Sequence, residues 1–301
     1  MRGWILYKRA KNELKESNYE VHRFISEAEK LSIELEIIKP EQIDLIVGRD
    51  NKGNIMVDGK SWPLPDFVIP RMGAGTTYFA LAVIRQLEGL GVYSVNSSSS
   101  IEIVRDKLYT QQILAQNNLP IPKSMLAKFP VNVALVDDYI KFPAVIKAIS
   151  GSQGNGVYLS ENKGAFNDLM HLLEATNPNA NVIVQEFIKS SRGIDLRVLT
   201  VGGRVIGCMK RINNTGGFKA NFSAGGIVER YDLNSEIELL ATTIASIMNL
   251  DIAGIDLLFD EGHFKICECN SSPGFKGMES CNNINVPVEI FNYIKFRKGI
   301  Y

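Results

Sequence analysis

The sequence is poor in the residues that most often carry covalent or transition-metal chemistry. Its 301 residues include only three histidines and four cysteines. His22, His171 and His263 are scattered, with no metal-ligand spacing and no Ser or Cys motif beside them, which argues against a zinc site and against covalent catalysis. No two cysteines form a C-x-x-C pair, so we expect reduced thiols in a cytoplasmic protein.

An excess of charge and a long apolar run are also absent. Lys and Arg number 33, as do Asp and Glu, so no overall field attracts nucleic acid or an acidic membrane. No apolar stretch approaches the roughly 20 residues that span a bilayer, and the short run at residues 4–7 ends in Lys8 and Arg9. We therefore expect no signal peptide, no membrane contact and no direct nucleic-acid partner.

The order of predicted elements indicates an α/β or α+β protein. Strands at residues 3–7, 31–38, 66–70 and 93–95, a short hairpin near residue 58, and helices at 11–30 and 77–90 form a small α/β layer. It lacks G-x-G-x-x-G after its first strand, so we do not expect dinucleotide binding. Helices near 106–117, 133–140, 163–175 and 235–249 and two further groups of strands complete the chain. We expect three domains, at 1–95, 96–190 and 191–301.

Three oxygen-bearing residues near the end of the chain form the most informative pattern. Glu268 and Asn270 are two apart in a predicted strand and therefore face the same side. Asp256 lies in the preceding predicted strand and faces the same spot if the two strands pair. Hard oxygen ligands without His or thiolate suit Mg²⁺ together with nucleotide phosphates. The trio therefore predicts a Mg·ATP site.

Two upstream features suit phosphate groups. Residues 150–156 contain three glycines between two predicted strands, so backbone N–H groups could approach a phosphate closely, although an ordinary turn has the same composition. This loop is not a Walker A loop, because it has no G-K-[ST] and no following helix. Lys147 ends the apolar strand before the loop and points to a bound anion, unless it only reaches solvent.

Polar residues on the later strands complete the candidate site. Residues 185–188 follow a strand and could meet an adenine edge, with Glu186 accepting from the amine. Arg197 and Arg211 could bind phosphate and stabilise developing charge, although exposed cross-strand ion pairs with residues such as Asp195 are the alternative. Lys219 lies in a Gly- and Asn-rich loop at 212–226, which is either a lid or a surface connection.

The order of these motifs resembles the ATP-grasp superfamily. The series is a lysine at a helix start, a strand-end lysine with a glycine loop, Gln-Glu-Phe-Ile, Asp-x-Arg, Lys-Arg, Lys-Ala-Asn, and Asp followed by Glu-x-Asn. Within the superfamily the chain is most similar to the RimK-type ligases that modify ribosomal protein, over nearly its whole length. The resemblance implies a pre-ATP-grasp domain followed by two α+β subdomains that clasp ATP.

The resemblance also implies roles for particular residues. Nucleotide contacts would come from Lys107, Lys147, Gly151, Ser152, Gly154, Gly156, Glu186, Phe187, Ile188, Asp195, Lys219, Ala220 and Asn221. Arg197 and Arg211 would be catalytic, meeting phosphates and the reacting carboxylate. Asp256, Glu268 and Asn270 would hold two Mg²⁺ ions, which Mn²⁺ could replace.

The implied reaction is an ADP-forming carboxylate–amine ligation through an acyl phosphate. The incoming amine would belong to an amino acid, L-glutamate by resemblance, and the acceptor would be a protein or peptide C-terminus or a small acid. A homo-oligomer is also expected from the resemblance. Two alternatives stay open at this point, an ATP-grasp kinase that phosphorylates a hydroxyl and a nucleotide-binding regulatory protein.

Overall fold

A computed structural model describes residues 1–49, 55–148, 156–220 and 225–300. The strands are β1 Arg2–Leu6, β2 Glu34–Ile38, β3 Ile43–Leu45, β4 Ile55–Val57, β5 Lys60–Ser61, β6 Phe67–Pro70, β7 Tyr93–Ser94, β8 Ser124–Ala127, β9 Ala144–Ala148, β10 Val157–Ser160, β11 Val182–Glu186, β12 Ile194–Val201, β13 Arg204–Ile212, β14 Ile227–Arg230, β15 Ile252–Asp260 and β16 His263–Asn270. The helices are α1 Tyr19–Lys30, α2 Tyr78–Gly89, α3 Ser98–Arg105, α4 Lys107–Gln116, α5 Val133–Leu135, α6 Lys163–Thr176, α7 Ser235–Ile247, α8 Lys276–Cys281 and α9 Val286–Arg297.

The strands form four sheets in the described part of the chain. A parallel sheet has the order β2-β1-β6-β7, and a small antiparallel sheet has the order β3-β4-β5. Two larger antiparallel sheets follow, β10-β9-β11-β8 and β14-β13-β12-β15-β16. Each of the three larger sheets carries helices, which agrees with the α/β or α+β class expected from the sequence. The domain boundaries given above stay a prediction.

The first predicted helix is shorter than expected. The pattern predicts a helix over 11–30, whereas α1 begins at Tyr19 and residues Lys11–Glu13 form a separate 3₁₀ turn. The side chain of Asn18 accepts a hydrogen bond of 2.8 Å from the backbone nitrogen of Lys15. Such local side-chain bonds compete with helical backbone bonds, so the polar stretch before Tyr19 does not join the helix.

The Gly202–Gly203 pair predicts a two-residue hairpin turn between β12 and β13, and the structure has it. Gly202 and Gly203 both have positive φ, at 59° and 74°, and Val201 pairs with Arg204. Two successive positive φ angles are the requirement of a type I′ turn, which glycine meets at low cost. The turn starts the pairing of β12 with β13, and a register shift between Leu199 and Thr200 then brings Asp195 opposite Arg211 as a cross-strand pair.

The first and last parts of the chain share one hydrophobic core. Phe24 of α1 and Phe67 of β6 pack edge-on against Phe291 of α9, and Phe24 also packs against Phe275. These four rings are fully buried. Because Phe275 follows β16, this core holds the segment after the predicted metal ligands against the parallel sheet. No helix among the described residues is long and apolar enough to cross a membrane.

Candidate active site

A cleft lies between the sheet formed by β8–β11 and the sheet formed by β12–β16. Eleven of the predicted site residues line it: Lys107, Lys147, Glu186, Phe187, Ile188, Asp195, Arg211, Lys219, Ala220, Asp256 and Glu268. Gly156, Arg197 and Asn270 are outside its lining. The predicted contacts at Gly151, Ser152, Gly154 and Asn221 lie outside the described residues. The fold therefore brings most of the described candidates to one place, although they come from both sheets.

Two arginines and two aspartates form an ion-pair network at the cleft, and three of the four residues line it. Arg197 holds both carboxylate oxygens of Asp256, at 2.7 Å each, and Arg211 holds both oxygens of Asp195, at 2.6 and 2.7 Å. Arg211 also lies 2.9 Å from Asp256 and links the two pairs. Planar bidentate pairs of this kind fix side chains far better than a lysine would.

The environment shifts the pKa values of these groups. Burial alone would raise the pKa of Asp256, but Arg197 and Arg211 outweigh it and hold the pKa below its usual value. For Asp195, burial dominates over the attraction of Arg211 and raises the pKa. Burial opposes the charge of Arg211, yet both aspartates raise its pKa, so it stays protonated. The network therefore depends on buried, mutually compensating charges.

The predicted metal trio is assembled by strand pairing. Asp256 of β15 stands directly opposite Glu268 of β16, and Asn270 pairs with Gly254. The Glu268 carboxylate makes no hydrogen bond or ion pair with any described residue, whereas the amide nitrogen of Asn270 donates weakly to the carbonyl of Gly254, at 3.4 Å. The amide oxygen of Asn270 and both oxygens of Glu268 are hard donors, which is the set that suits Mg²⁺.

A β-bulge changes the direction of one cysteine beside the trio. Regular alternation predicts that Cys267 and Cys269 both face away from Glu268. The pairing shifts between Asp256–Glu268 and Leu257–Ile266, which leaves Cys267 as an extra residue in β16. Cys267 consequently lines the cleft, where the Nζ of Lys147 lies 3.6 Å from its sulfur. Burial raises the pKa of this thiol despite the nearby lysine, so it remains protonated at neutral pH.

The carboxylate of Glu186 is held by groups that lie outside its own strand. Its Oε2 accepts a bond of 3.1 Å from the backbone nitrogen of Lys123, and the Nζ of Lys265 lies 3.2 Å away. Lys265 also pairs with Asp260, at 3.4 Å. A carboxylate can accept about four hydrogen bonds, so Glu186 keeps capacity for a ligand.

Aromatic side chains line the cleft next to Glu186. Phe187 and Phe218 pack edge-on with ring centroids 6.5 Å apart, and the Nζ of Lys219 lies over Phe218 and Tyr158, at 5.6 and 5.9 Å. Asn213 orders the preceding loop, because its amide donates to the carbonyl of Lys219 at 2.5 Å. This part of the loop at 212–226 therefore packs over the cleft rather than extending from the surface.

Sequence patterns also missed two residues that contact groups of the cleft, Gln111 and Lys265. Gln111 lies four residues after Lys107 on α4, so its position on the same helix face was a usable clue. Its Nε2 donates to the carbonyl of Cys267 at 3.3 Å, and its buried Oε1 has no partner among the described residues. Lys265 gave no such clue, because it meets Glu186 only through the packing of two sheets.

Comparisons with known families and proteins agree with this geometry. Residues 104–294 match the RimK-like ATP-grasp domain, and residues 13–101 match the RimK PreATP-grasp domain. The probable alpha-L-glutamate ligase of Marinomonas sp. (strain MWYL1) is 35% identical over 278 residues, covering 92% of this chain and 91% of that protein. The protein of the same description from Legionella pneumophila (strain Corby) is 35% identical over 281 residues, with coverage of 92% and 91%.

Solved structures support the same fold. The ATP-grasp ligase PsnB, complexed with a phosphomimetic variant of its minimal precursor, Mg and ADP, gives a TM-score of 0.74 at 18% identity, covering 99% of this chain and 98% of that one. The RimK domain protein from Sphaerobacter thermophilus DSM 20745 gives 0.70 at 16% identity, covering 98% and 99%. The fold of the chain is therefore the ATP-grasp fold.

The chain belongs to the RimK-like ATP-grasp family. It is an ATP-dependent carboxylate–amine ligase.

Proposed function

We propose that this ligase joins L-glutamate, through its amine, to a carboxylate of a protein or peptide C-terminus or of a small acid. The main support is the convergence of phosphate-binding and metal-binding groups in one cleft: Lys147 from one sheet and the Asp256–Glu268 pair from the other. Relatives over nine-tenths of the chain are described as probable alpha-L-glutamate ligases, which supports glutamate as the amino acid.

The proposed reaction needs no nucleophile from the protein. A carboxylate oxygen of the acceptor attacks the γ-phosphorus of ATP, the bond to the β-phosphate oxygen breaks, and ADP leaves. The amine of glutamate, having lost a proton, then attacks the acyl carbon, and phosphate leaves as the amide forms. Catalysis of this kind rests on positioning and on neutralising charge, which agrees with a cleft rich in Lys, Arg and carboxylates.

Each side chain then has a proposed task. Lys107 and Lys147 bind phosphates, and Asp195 lies at the nucleotide sugar. The adenine lies at Glu186, Phe187 and Ile188, and Lys219, Ala220 and Asn221 close over the nucleotide, with Gly151, Ser152, Gly154 and Gly156 against the phosphates. Arg197 and Arg211 stabilise the charge that moves between ATP and the acceptor carboxylate.

The residues present fit Mg²⁺. Two carboxylates and one amide face one region, and Glu268 has no other partner there among the described residues. Mg²⁺ is usually held by one or two carboxylates plus phosphate oxygens, so Asp256, Glu268 and Asn270 suffice. When bound, the metal would neutralise phosphate charge. We propose two ions, which Asp256, Glu268 and Asn270 would hold and which Mn²⁺ could replace.

Product mass tests the proposed function. Purified protein receives Mg·ATP, L-glutamate and a panel of peptides with free C-termini and small carboxylic acids, and the products are followed by mass spectrometry alongside phosphate release. We expect ADP, phosphate and an acceptor heavier by one or more glutamyl units. An acceptor heavier by a phosphate group would instead identify a kinase. ATP binding without turnover across the panel would favour a regulatory protein.

Lys147→Ala is expected to weaken the binding of Mg·AMP-PNP by about 10- to 100-fold, because a charge-assisted phosphate contact is lost. Isothermal calorimetry measures the dissociation constant directly. Lys163→Ala removes an exposed lysine from the same part of the chain and is the matched control, since Lys163 only pairs at 3.4 Å with Asp137 at the surface. Equal affinities for wild type and Lys147→Ala would remove Lys147 from the phosphate site.

A further inference from the structure

A second polar cluster lies at the carboxyl edge of the parallel sheet. Tyr7 directly follows β1 and Arg71 directly follows β6, and the two strands are parallel neighbours. Burial raises the pKa of the Tyr7 phenol, and Arg9, Glu20 and Arg71 are all close enough to act on it. Open parallel sheets bind ligands outside the carboxyl ends of their strands. This edge is therefore where the first part of the chain is best placed to meet a substrate.

Arg71 is the member of this cluster whose charge is left unmatched. One of its Nη2 hydrogens bonds to the carbonyl of Pro273 at 2.9 Å, and the guanidinium lies over the rings of Phe24 and Phe275, at 6.0 and 5.7 Å. No carboxylate among the described residues forms an ion pair with it. Glu20, its nearest acidic neighbour in the cluster, instead accepts from the backbone nitrogen of Phe275 at 3.2 Å.

Such an arginine is costly without an anion. Burial lowers the pKa of Arg71, which reports the poor solvation of its charge. A guanidinium has five N–H donors, and only one is used by a described residue. Contacts with the two aromatic rings and with the Pro273 carbonyl hold the group in place, so the remaining donors are available to a planar partner such as a carboxylate.

Arg71 is joined to the metal end of the ATP cleft by direct contacts. Its partner Pro273 comes three residues after Asn270 and packs on Gly254, where any side chain would approach the ring of Pro273 to 2.5 Å. Gly254 pairs with Asn270 and lies two residues before Asp256 on β15. A small substrate that reacts beside Asp256 therefore lies near Arg71 without displacing the groups that hold ATP.

We propose that Arg71 binds one carboxylate of the incoming dicarboxylic amino acid. This inference rests on the proposed function and assigns a residue to its amine substrate. The acceptor's carboxylate is consumed at the γ-phosphate, whereas the amino acid keeps both of its carboxylates through the reaction. Arg197 and Arg211 are assigned above to ATP and the acceptor carboxylate, so a separate cation is needed to hold glutamate. Arg71 supplies that cation outside the phosphate site.

Calorimetry with chosen ligands tests this inference. Wild type loaded with Mg·AMP-PNP is titrated with L-glutamate, with L-glutamine, which lacks the side-chain carboxylate, and with glutamate α-amide, which lacks the other. We expect at least one amide to bind about 10- to 100-fold more weakly than glutamate, since a charge-assisted bidentate contact is lost. Arg71→Gln should weaken glutamate binding by a similar factor and abolish the preference for glutamate over that amide.

The control is Arg2→Gln, the same substitution at the first residue of β1. Arg2 lies at the opposite edge of the parallel sheet and pairs with the exposed Glu34. It should leave glutamate affinity and preference unchanged, and neither variant should alter AMP-PNP affinity. If Arg71→Gln does not fold, Arg71→Lys replaces it and should reduce the preference by removing the bidentate geometry. Unchanged affinity or preference in the Arg71 variant, or no glutamate binding by wild type, would overturn the inference. If wild type binds glutamate selectively and the Arg71 variants do not, the site is supported. If no amide product forms in the same preparations, the proposed glutamate ligation is rejected.

Discussion

Glu268→Ala is expected to reduce ligase turnover by about 1000-fold or more, because Glu268 would hold the proposed Mg²⁺, which would supply several kcal/mol of charge stabilisation in the transition state. The fold should be retained. Glu268 stands opposite Asp256 and makes no hydrogen bond or ion pair with a described residue, so its removal relieves a like-charge pair. The midpoint of thermal unfolding without metal should therefore equal or exceed that of wild type.

Metal binding gives a second measurement that needs no acceptor. Mn²⁺ titration followed by electron paramagnetic resonance, with AMP-PNP present, should show fewer ions bound by Glu268→Ala than by wild type. Glu229→Ala changes an exposed carboxylate of β14 in the same sheet and is the matched control. Turnover within about tenfold of wild type, or unchanged Mn²⁺ binding, would contradict the assignment of Glu268, since a tenfold rate change is only about 1.4 kcal/mol.

Arg211→Ala is expected to lower the free energy of unfolding by about 3–5 kcal/mol at neutral pH, because it leaves two buried carboxylates without their shared partner. Arg211 is only 4% exposed and holds both Asp195 and Asp256. Urea denaturation measures the loss. Arg204→Ala, on the same strand, removes an exposed pair with Glu289 and should cost at most about 1 kcal/mol. A similar effect of the two substitutions would show that the network contributes little to stability.

The pH dependence of Arg211→Ala has a definite sign. In wild type the pKa of Asp256 is held below its unfolded value, so its contribution to stability is present above that value and is lost only in acid. Without Arg211 the folded-state pKa values of Asp195 and Asp256 should rise, so each carboxylate destabilises the fold once it ionises. The stability deficit of the variant should then be smaller at pH 5 than at pH 8. A deficit independent of pH would contradict this account.

Local sequence patterns predicted many of the strands, helices and turns. Strand alternation, the Gly202–Gly203 turn and the helix near residues 106–117 all follow from short-range rules, and each is present in the structure. The start of α1 was predicted wrongly, because side-chain hydrogen bonds around Asn18 compete with the helix. Such competition depends on a few local angles that periodicity does not report.

The candidate site was predictable where residues act within one strand pair. The facing of Glu268 and Asn270 follows from alternation, and pairing of β15 with β16 adds Asp256. The bulge at Cys267 was not predictable, since it arises from a register shift between strands. Likewise, Lys265 meets Glu186 only because two sheets pack together, and Arg71 reaches Pro273 across 202 residues of sequence.

The four-membered network of Arg197, Arg211, Asp195 and Asp256 has no net charge when all four groups are ionised. Many metal proteins unfold when a chelator removes the ion, because clustered carboxylates then repel one another. Here two guanidinium groups already balance the charges of the two buried aspartates. Glu268, opposite Asp256, adds one further negative charge. We therefore expect the protein to be folded before nucleotide and metal bind.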